Sequence, residues 1–127
     1  MQIRHALLCD AANASSNGNL NALGIFNTIV ARRFPATHPA MTVVVQLELH
    51  RWETGPHSLR VELVDADGRP VLTPMEADSN TGPENLITNY IFQLNNLTFP
   101  SPGDYAFEIL VDGGHLYSIP LKLLAQK

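Results

Sequence analysis

Residues 101–124, SPGDYAFEILVDGGHLYSIPLKLL, read almost residue by residue as a β-hairpin. From Asp104 to Val111 the chain alternates, with Tyr105, Phe107, Ile109 and Val111 on one side and Asp104, Ala106, Glu108 and Leu110 on the other. That period of two is the mark of a half-buried strand. Asp112, Gly113 and Gly114 tolerate the positive φ that a tight reversal needs, and Tyr117, Ile119, Leu121 and Leu123 then resume the alternation in phase. Pro120 cannot donate a ladder hydrogen bond, which places the last strand at a sheet edge or turns that nitrogen away from its neighbour. Two strands alone are not stable in water, so other elements must cover the face of Tyr105, Phe107 and Ile109.

The same alternation supplies those elements. Leu86 to Phe99 carries Leu86, Tyr90, Phe92 and Leu94 on one side and Ile87, Ile91, Leu97 and Phe99 on the other, with a bulge expected at Asn95-Asn96. Thr42 to His50 sets Val43, Val45, Leu47 and Leu49 inward against Thr42, Gln46, Glu48 and His50, with Val44 the exception. Glu53-Thr54-Gly55-Pro56 is a turn, and Leu59, Val61 and Leu63 follow, so this region reads as a second hairpin. Residues 3–10 suit a first strand, with a helix beginning in the Ala-rich residues 5–14 as the alternative, and Asn13 to Asn19 a surface loop. Leu20 to Ala31 is apolar on both sides, which reads as a central strand with a bulge or close backbone approach at Gly24. Residues 34–39, with prolines at 35 and 39, read as a stiff, irregular crossing segment. Thr73 to Asn85 has little to bury and reads as the longest, most mobile loop.

Counting gives about seven or eight strands and no helical periodicity. The expected fold is all-β, an antiparallel β-sandwich of immunoglobulin-like or jelly-roll-like kind, with residues 1–127 forming one domain. At 127 residues such a domain buries roughly two thirds of its extended surface and needs no staple. The single Cys9 precludes an internal disulfide, and its Ala6-Leu7-Leu8 flank points to a buried, inert thiol. A formal charge of −4 argues against nucleic acid, which demands a broad basic face. No run is long enough for a membrane span, and the opening apolar run is too short for an export signal and is cut by Asp10. A cytoplasmic protein is the expectation, and the glycosylation triplets at Asn13 and Asn96 are then chance matches.

The Pro102-Gly103-Asp104-Tyr105-x-Phe107 stretch, with the strand, turn and strand after it, resembles the closing hairpin of immunoglobulin-like and fibronectin type III-like sandwiches. More of the chain is similar to a family of short, uncharacterised bacterial proteins classed as a domain of unknown function. The matching residues are Asp10 to Asn13, Gly18-x-Leu20-Asn21-x-Leu23-Gly24-Ile25-Phe26-Asn27, Phe34-Pro35-Ala36-x-His38-Pro39, Gln93 to Leu97 with Phe99, and Gly103-Asp104-Tyr105-x-Phe107. The resemblance implies a stand-alone bacterial β domain and brings no activity or catalytic residues.

Chemistry-bearing patterns are sparse. The five histidines, His5, His38, His50, His57 and His115, form no His-x-His or His-x-x-x-His pair and read as scattered imidazoles, not metal ligands. Asp10, Asp65, Asp67 and Asp112 at strand ends offer oxygen ligands for calcium, but Asp-x-Asp-Gly reads better as a tight turn. Nucleophile-elbow, phosphate-loop and zinc-protease signatures are missing from the sequence, and Glu48 with Glu62 is a weak candidate carboxylate pair. No catalytic residue, metal or cofactor is assigned.

A binding surface is the better expectation. Arg32, Arg33, Arg51 and Trp52 are the candidate contact residues, because Arg and Trp are the types interfaces favour. For Trp52 two readings stand side by side: contact with a partner, or a cap on the core with a wet N–H, the second carrying the greater weight. The expected protein is a non-enzymatic interaction module that contacts a protein partner or its own copy, with no nucleic acid and no membrane. The alternatives are a small-molecule or carbohydrate-binding sandwich and a metal-dependent jelly-roll enzyme.

Overall fold

The computed structural model describes residues 1–126. Nine strands alternate with turns: β1 (Gln2–Ala14), β2 (Leu20–Phe26), β3 (Thr28–Ala31), β4 (Ala36–Glu48), β5 (Gly55–Val64), β6 (Met75–Thr81), β7 (Ile87–Phe99), β8 (Gly103–Val111) and β9 (Gly114–Ala125). One 3-10 turn, Arg51–Glu53, joins β4 to β5. The strands form a four-stranded sheet in the order β2-β1-β4-β7 and a five-stranded sheet in the order β3-β9-β8-β5-β6. All pairings are antiparallel except that of β3 with β9.

One core lies between the sheets. Val43, Val45 and Leu47 of β4, with Leu8 of β1 and Phe99 of β7, meet Leu59, Val61 and Leu63 of β5, Phe107 and Ile109 of β8, and Ile119, Leu121 and Leu123 of β9. The alternation read in β8 is thus the burial pattern itself, while β4 keeps Val43, Val45 and Leu47 in the core but also buries Thr42 and Val44 on its other face. Asp112 at φ 52 and Gly113 at φ 84 form the reversal between β8 and β9. In β7 the inward set changes from Tyr90, Phe92 and Leu94 to Leu97 and Phe99 at Asn96, whose φ is 54, but the pairing with β4 keeps one register through this point, so the bulge expected at Asn95-Asn96 is not formed.

Four further expectations are corrected. Residues 36–39 are regular, since β4 begins at Ala36 and pairs with β7 from Phe99 onward. Pro39 is tolerated there because it falls in the gap between the His38–Leu97 and Ala40–Asn95 pairs, opposite Asn96 with its positive φ. Leu20 to Ala31 is two short strands on the edges of different sheets, divided at Asn27, where the chain crosses between layers. β4 and β5 likewise belong to different sheets and do not form a hairpin. Thr73 to Asn85 contains β6, whose inward residues after Met75, namely Ala77, Ser79 and Thr81, are too small or polar to advertise a strand. β9 lies inside its sheet, but β3 reaches it only from Lys122 on, so beside Pro120 the strand has one uncovered side, as a proline in a ladder requires.

Candidate functional site

The four candidate contact residues do not form one surface. Arg32 and Arg33 precede β4, and Arg51 and Trp52 follow it, so the thirteen residues of that strand hold the two pairs at opposite ends, roughly 40 Å apart at ~3.3 Å per residue. All four are exposed. The structure overturns the reading of Trp52 as a cap on the core: its side chain is 81% exposed, in a 3-10 turn with no buried residue. A three-residue turn is too short to carry an indole back over the core. The ring instead stacks on His50, with centroids 4.4 Å apart and planes 4° from parallel.

Below that turn lies a cluster of titratable groups that the sequence did not reveal. His57 Nδ1 is 2.6 Å from Asp112 Oδ2, and its Nε2 meets the backbone carbonyl of Glu53. Ser58 N–H donates to Asp112 Oδ1 at 2.9 Å, and His50 N–H donates to the Glu53 carboxylate at 2.8 Å. The Met1 amino group stands 2.6 Å from the same carboxylate. The Glu53 carbonyl, then the Asp112 carboxylate, holds the His57 pKa above its ordinary value, with burial opposing. Asp112 is held below the usual carboxylate range by the Ser58 N–H and then by His57, and Glu53 by the Met1 amino group and then by the His50 N–H. Both imidazole nitrogens and both Asp112 oxygens are thereby occupied, which makes this a structural clamp joining β5 to the β8–β9 turn.

A second trio, Glu108, His115 and Ser118, sits on an exposed patch of the five-stranded sheet. Serine and glutamate approach the same ring nitrogen of His115. A proton relay to a nucleophile needs the acid on one nitrogen and the hydroxyl on the other, so this trio is not arranged as a catalytic triad.

The most unusual surface feature is β2, at one edge of the four-stranded sheet. Leu23 and Ile25 are 73% and 64% exposed, and the strand LNALGIF contains no charge. Leu23 pairs with Ala11 and Ile25 with Cys9, so both side chains stand over small neighbours. Gly24 between them has φ +74, a conformation that L side chains rarely adopt, and the Asp10 side chain lies against the place a Cβ would take.

Residues 4–124 match the model of a family of unknown function, DUF6941. The chain belongs to DUF6941. A search of the curated proteins finds no match. Membership of DUF6941 therefore spans nearly the whole two-layer structure while leaving its chemistry to be read from the residues.

Among the described residues of this DUF6941 chain, no three His, Cys, Asp or Glu side chains gather as metal ligands. Asp65 Oδ1 accepts the backbone N–H groups of Asp67 and Arg69, each at 2.9 Å, so Asp-x-Asp-Gly is a turn whose acceptor is already engaged. Glu48 and Glu62 lie in different sheets, where Glu48 faces Arg4 and Glu62 faces Arg60, so they form no carboxylate pair. Cys9 is fully buried, and burial pushes its thiol pKa up, the opposite of nucleophile activation. No helix among the described residues is long and apolar enough to cross a membrane.

Proposed function

We propose that this chain is a non-catalytic interaction module that docks through β2, pairing it with the same strand of a second copy. The observation that carries the reading is the bare edge: two large aliphatic side chains in the open, on a strand with no charge and one unpaired side. Edge strands are ordinarily blunted by charge, shortness or bulging, because free N–H and C=O groups recruit another strand. Here β6 carries Glu76 and Asp78, β3 has only four residues, and β7 is interrupted by the positive φ of Asn96. β2 has a kink at Gly24 but keeps Leu20 to Leu23 straight and unprotected. The immunoglobulin-like version of the sandwich is supported by the parallel β3–β9 pairing and by the Tyr105 hydroxyl, which donates to the Ser101 carbonyl at 2.6 Å in the manner of a tyrosine corner.

Covering Leu23 and Ile25, each about two-thirds exposed, is worth roughly 2–4 kcal/mol per copy at about 1.5–3 kcal/mol per fully buried side chain. A two-fold contact doubles this to roughly 4–8 kcal/mol, against an association cost of about 4–15 kcal/mol. The dimer is therefore weak and concentration-dependent. The favourable end of that balance leaves about −4 kcal/mol, a Kd of about 1 mM, so sedimentation velocity run up to about 1 mM should show a reversible dimer. Ile25→Lys, at an exposed site, should leave the melting temperature unchanged and abolish association. Wild-type protein that stays monomeric throughout that range would defeat the proposal.

A further inference from the structure

A groove of about 630 Å³ opens where Arg4 and Gln46 of the four-stranded sheet face Asn80, Asn85 and Asn89 around the β6–β7 connection. It is larger than the depression of about 320 Å³ beside Pro120 and Lys122 and the one of about 550 Å³ beside His5 and Leu7. Its volume falls within the range of small-molecule sites, of about 300–1,000 Å³. Those sites are mostly apolar, whereas this wall is built of amides and hydroxyls. We propose that the groove binds a neutral saccharide.

Three features of the wall point to that class. Among the described residues the side-chain amides of Asn80 and Asn85 make no hydrogen bond to protein, and Asn89, which accepts from Gln46 Nε2 at 2.9 Å, keeps its own NH2 group free. An amide places a donor and an acceptor side by side, which matches two adjacent hydroxyls of a sugar ring. The hydroxyls of Thr81 and Thr88, also in the wall, are closed off from solvent without a protein partner. Buried polar groups are rarely left so, and rotation about χ1 redirects such a hydroxyl toward the groove. Ile87, partly exposed beside them, offers an apolar patch for the C–H face of a ring.

Charge excludes the nearest competitors. No carboxylate lines the groove, so a cation finds no counter-charge. Arg4 is its one cation, and that guanidinium is already taken up by Gln46 Oε1 at 3.1 Å and Glu48 Oε1 at 3.4 Å. A neutral polyol leaves the Arg4–Glu48 ion pair in place, whereas the charge of Glu48 opposes an acidic ligand that approaches the donors Arg4 has left. The site uses neither Leu23 nor Ile25 and does not depend on self-association.

The test is a 1H–15N NMR titration of the intact chain with neutral disaccharides built from glucose, galactose, mannose and N-acetylglucosamine. Galacturonate serves as the charged control. With at least one neutral sugar, the side-chain NH2 signals of Asn80, Asn85 and Asn89 should shift with a Kd of about 10 mM or tighter. Asn85→Ala and Asn80→Ala, both at solvent-facing positions, should each weaken that response at least about tenfold, the equivalent of one lost hydrogen bond of about 1.4 kcal/mol, with the melting temperature unchanged. Ile25→Lys should bind as wild type. Failure of every neutral sugar to move these signals, a response to galacturonate alone, or shifts confined to other residues would overturn the proposal.

Discussion

The His57 clamp makes the stability of this chain fall on the alkaline side of neutrality. Both partners of the ring, the Glu53 carbonyl and the Asp112 carboxylate, are acceptors only, so both ring nitrogens must donate, and only the imidazolium does that. A group whose pKa is raised on folding contributes stability that is complete below its unfolded pKa, about 6.5 for histidine, and is lost as pH rises through the higher folded value. One proton limits the slope to about 1.4 kcal/mol per pH unit. Asp112, lowered by the Ser58 N–H and then by His57, behaves in the opposite sense: its contribution is present above about pH 3.9 and lost as pH falls through its folded pKa. The clamp is therefore complete between about pH 4 and 6.5. Urea unfolding followed by far-UV circular dichroism, at half-unit steps from about pH 5 to 9, measures the decline. Asp112→Asn retains an acceptor for the Ser58 N–H and tolerates the φ of 52, yet removes the charge, so the alkaline decline should shrink. His57→Gln should reduce it further. A wild-type profile flat above pH 6.5, or an Asp112→Asn profile with an undiminished decline, would refute the argument.

Two further substitutions probe the rest of the frame. Tyr105→Phe removes the 2.6 Å hydrogen bond to the Ser101 carbonyl but keeps the edge-on ring contact with Phe99, so urea melts should show a loss of about 1 kcal/mol, near the cost of one hydrogen bond whose acceptor water can reach. Trp52→Ala should change stability by less than about 0.5 kcal/mol, as for other exposed sites, and the wild-type tryptophan emission should already be that of a water-exposed indole before unfolding.

Much of the core was legible because β4 and β8 are long, central and packed by one face on the opposite sheet, so the core-facing set recurs with a period of two, even though β4 also buries Thr42 and Val44 on its other face. Edges were not legible for the same reason inverted. What an edge strand buries depends on whether a neighbour lies across from it, and that is set by chain crossings such as Asn27 that leave no mark in alternation. Leu23 and Ile25 therefore read as central residues and stand in solvent. β6 was missed from the other direction, since an edge protected by Glu76 and Asp78, with Ala77 and Ser79 facing inward, resembles a polar loop. The groove shares that cause: Arg4, Gln46, Asn80 and Asn89 are scattered along the chain and meet only through the order of strands. Trp52 was weighed as a core residue on its type, and type is a poor guide where a three-residue turn provides no route inward.

The placement of charge separates β2 from an ordinary weakly polar surface. Arg60 lies 3.0 Å from Glu62 and 2.7 Å from Glu76, spanning β5 and β6 on the outward face, and Glu108 joins His115 across β8 and β9. Arg4 and Glu48 mark the pairing of β1 with β4. Exposed pairs of this kind contribute only about 0–1 kcal/mol each, so stability does not account for where they sit. Their position does what charge on a sheet does: it makes stacking or edge pairing with another chain costly. The one carboxylate on the β1–β2 hairpin, Asp10, is drawn over the backbone of Gly24 and leaves the Leu23 and Ile25 side chains unscreened. A chain that guards its other sheet face with ion pairs and spares this strip has an asymmetric surface, and Leu23→Lys with Ile25→Lys extends the guarded pattern to β2 at the cost of the proposed contact alone.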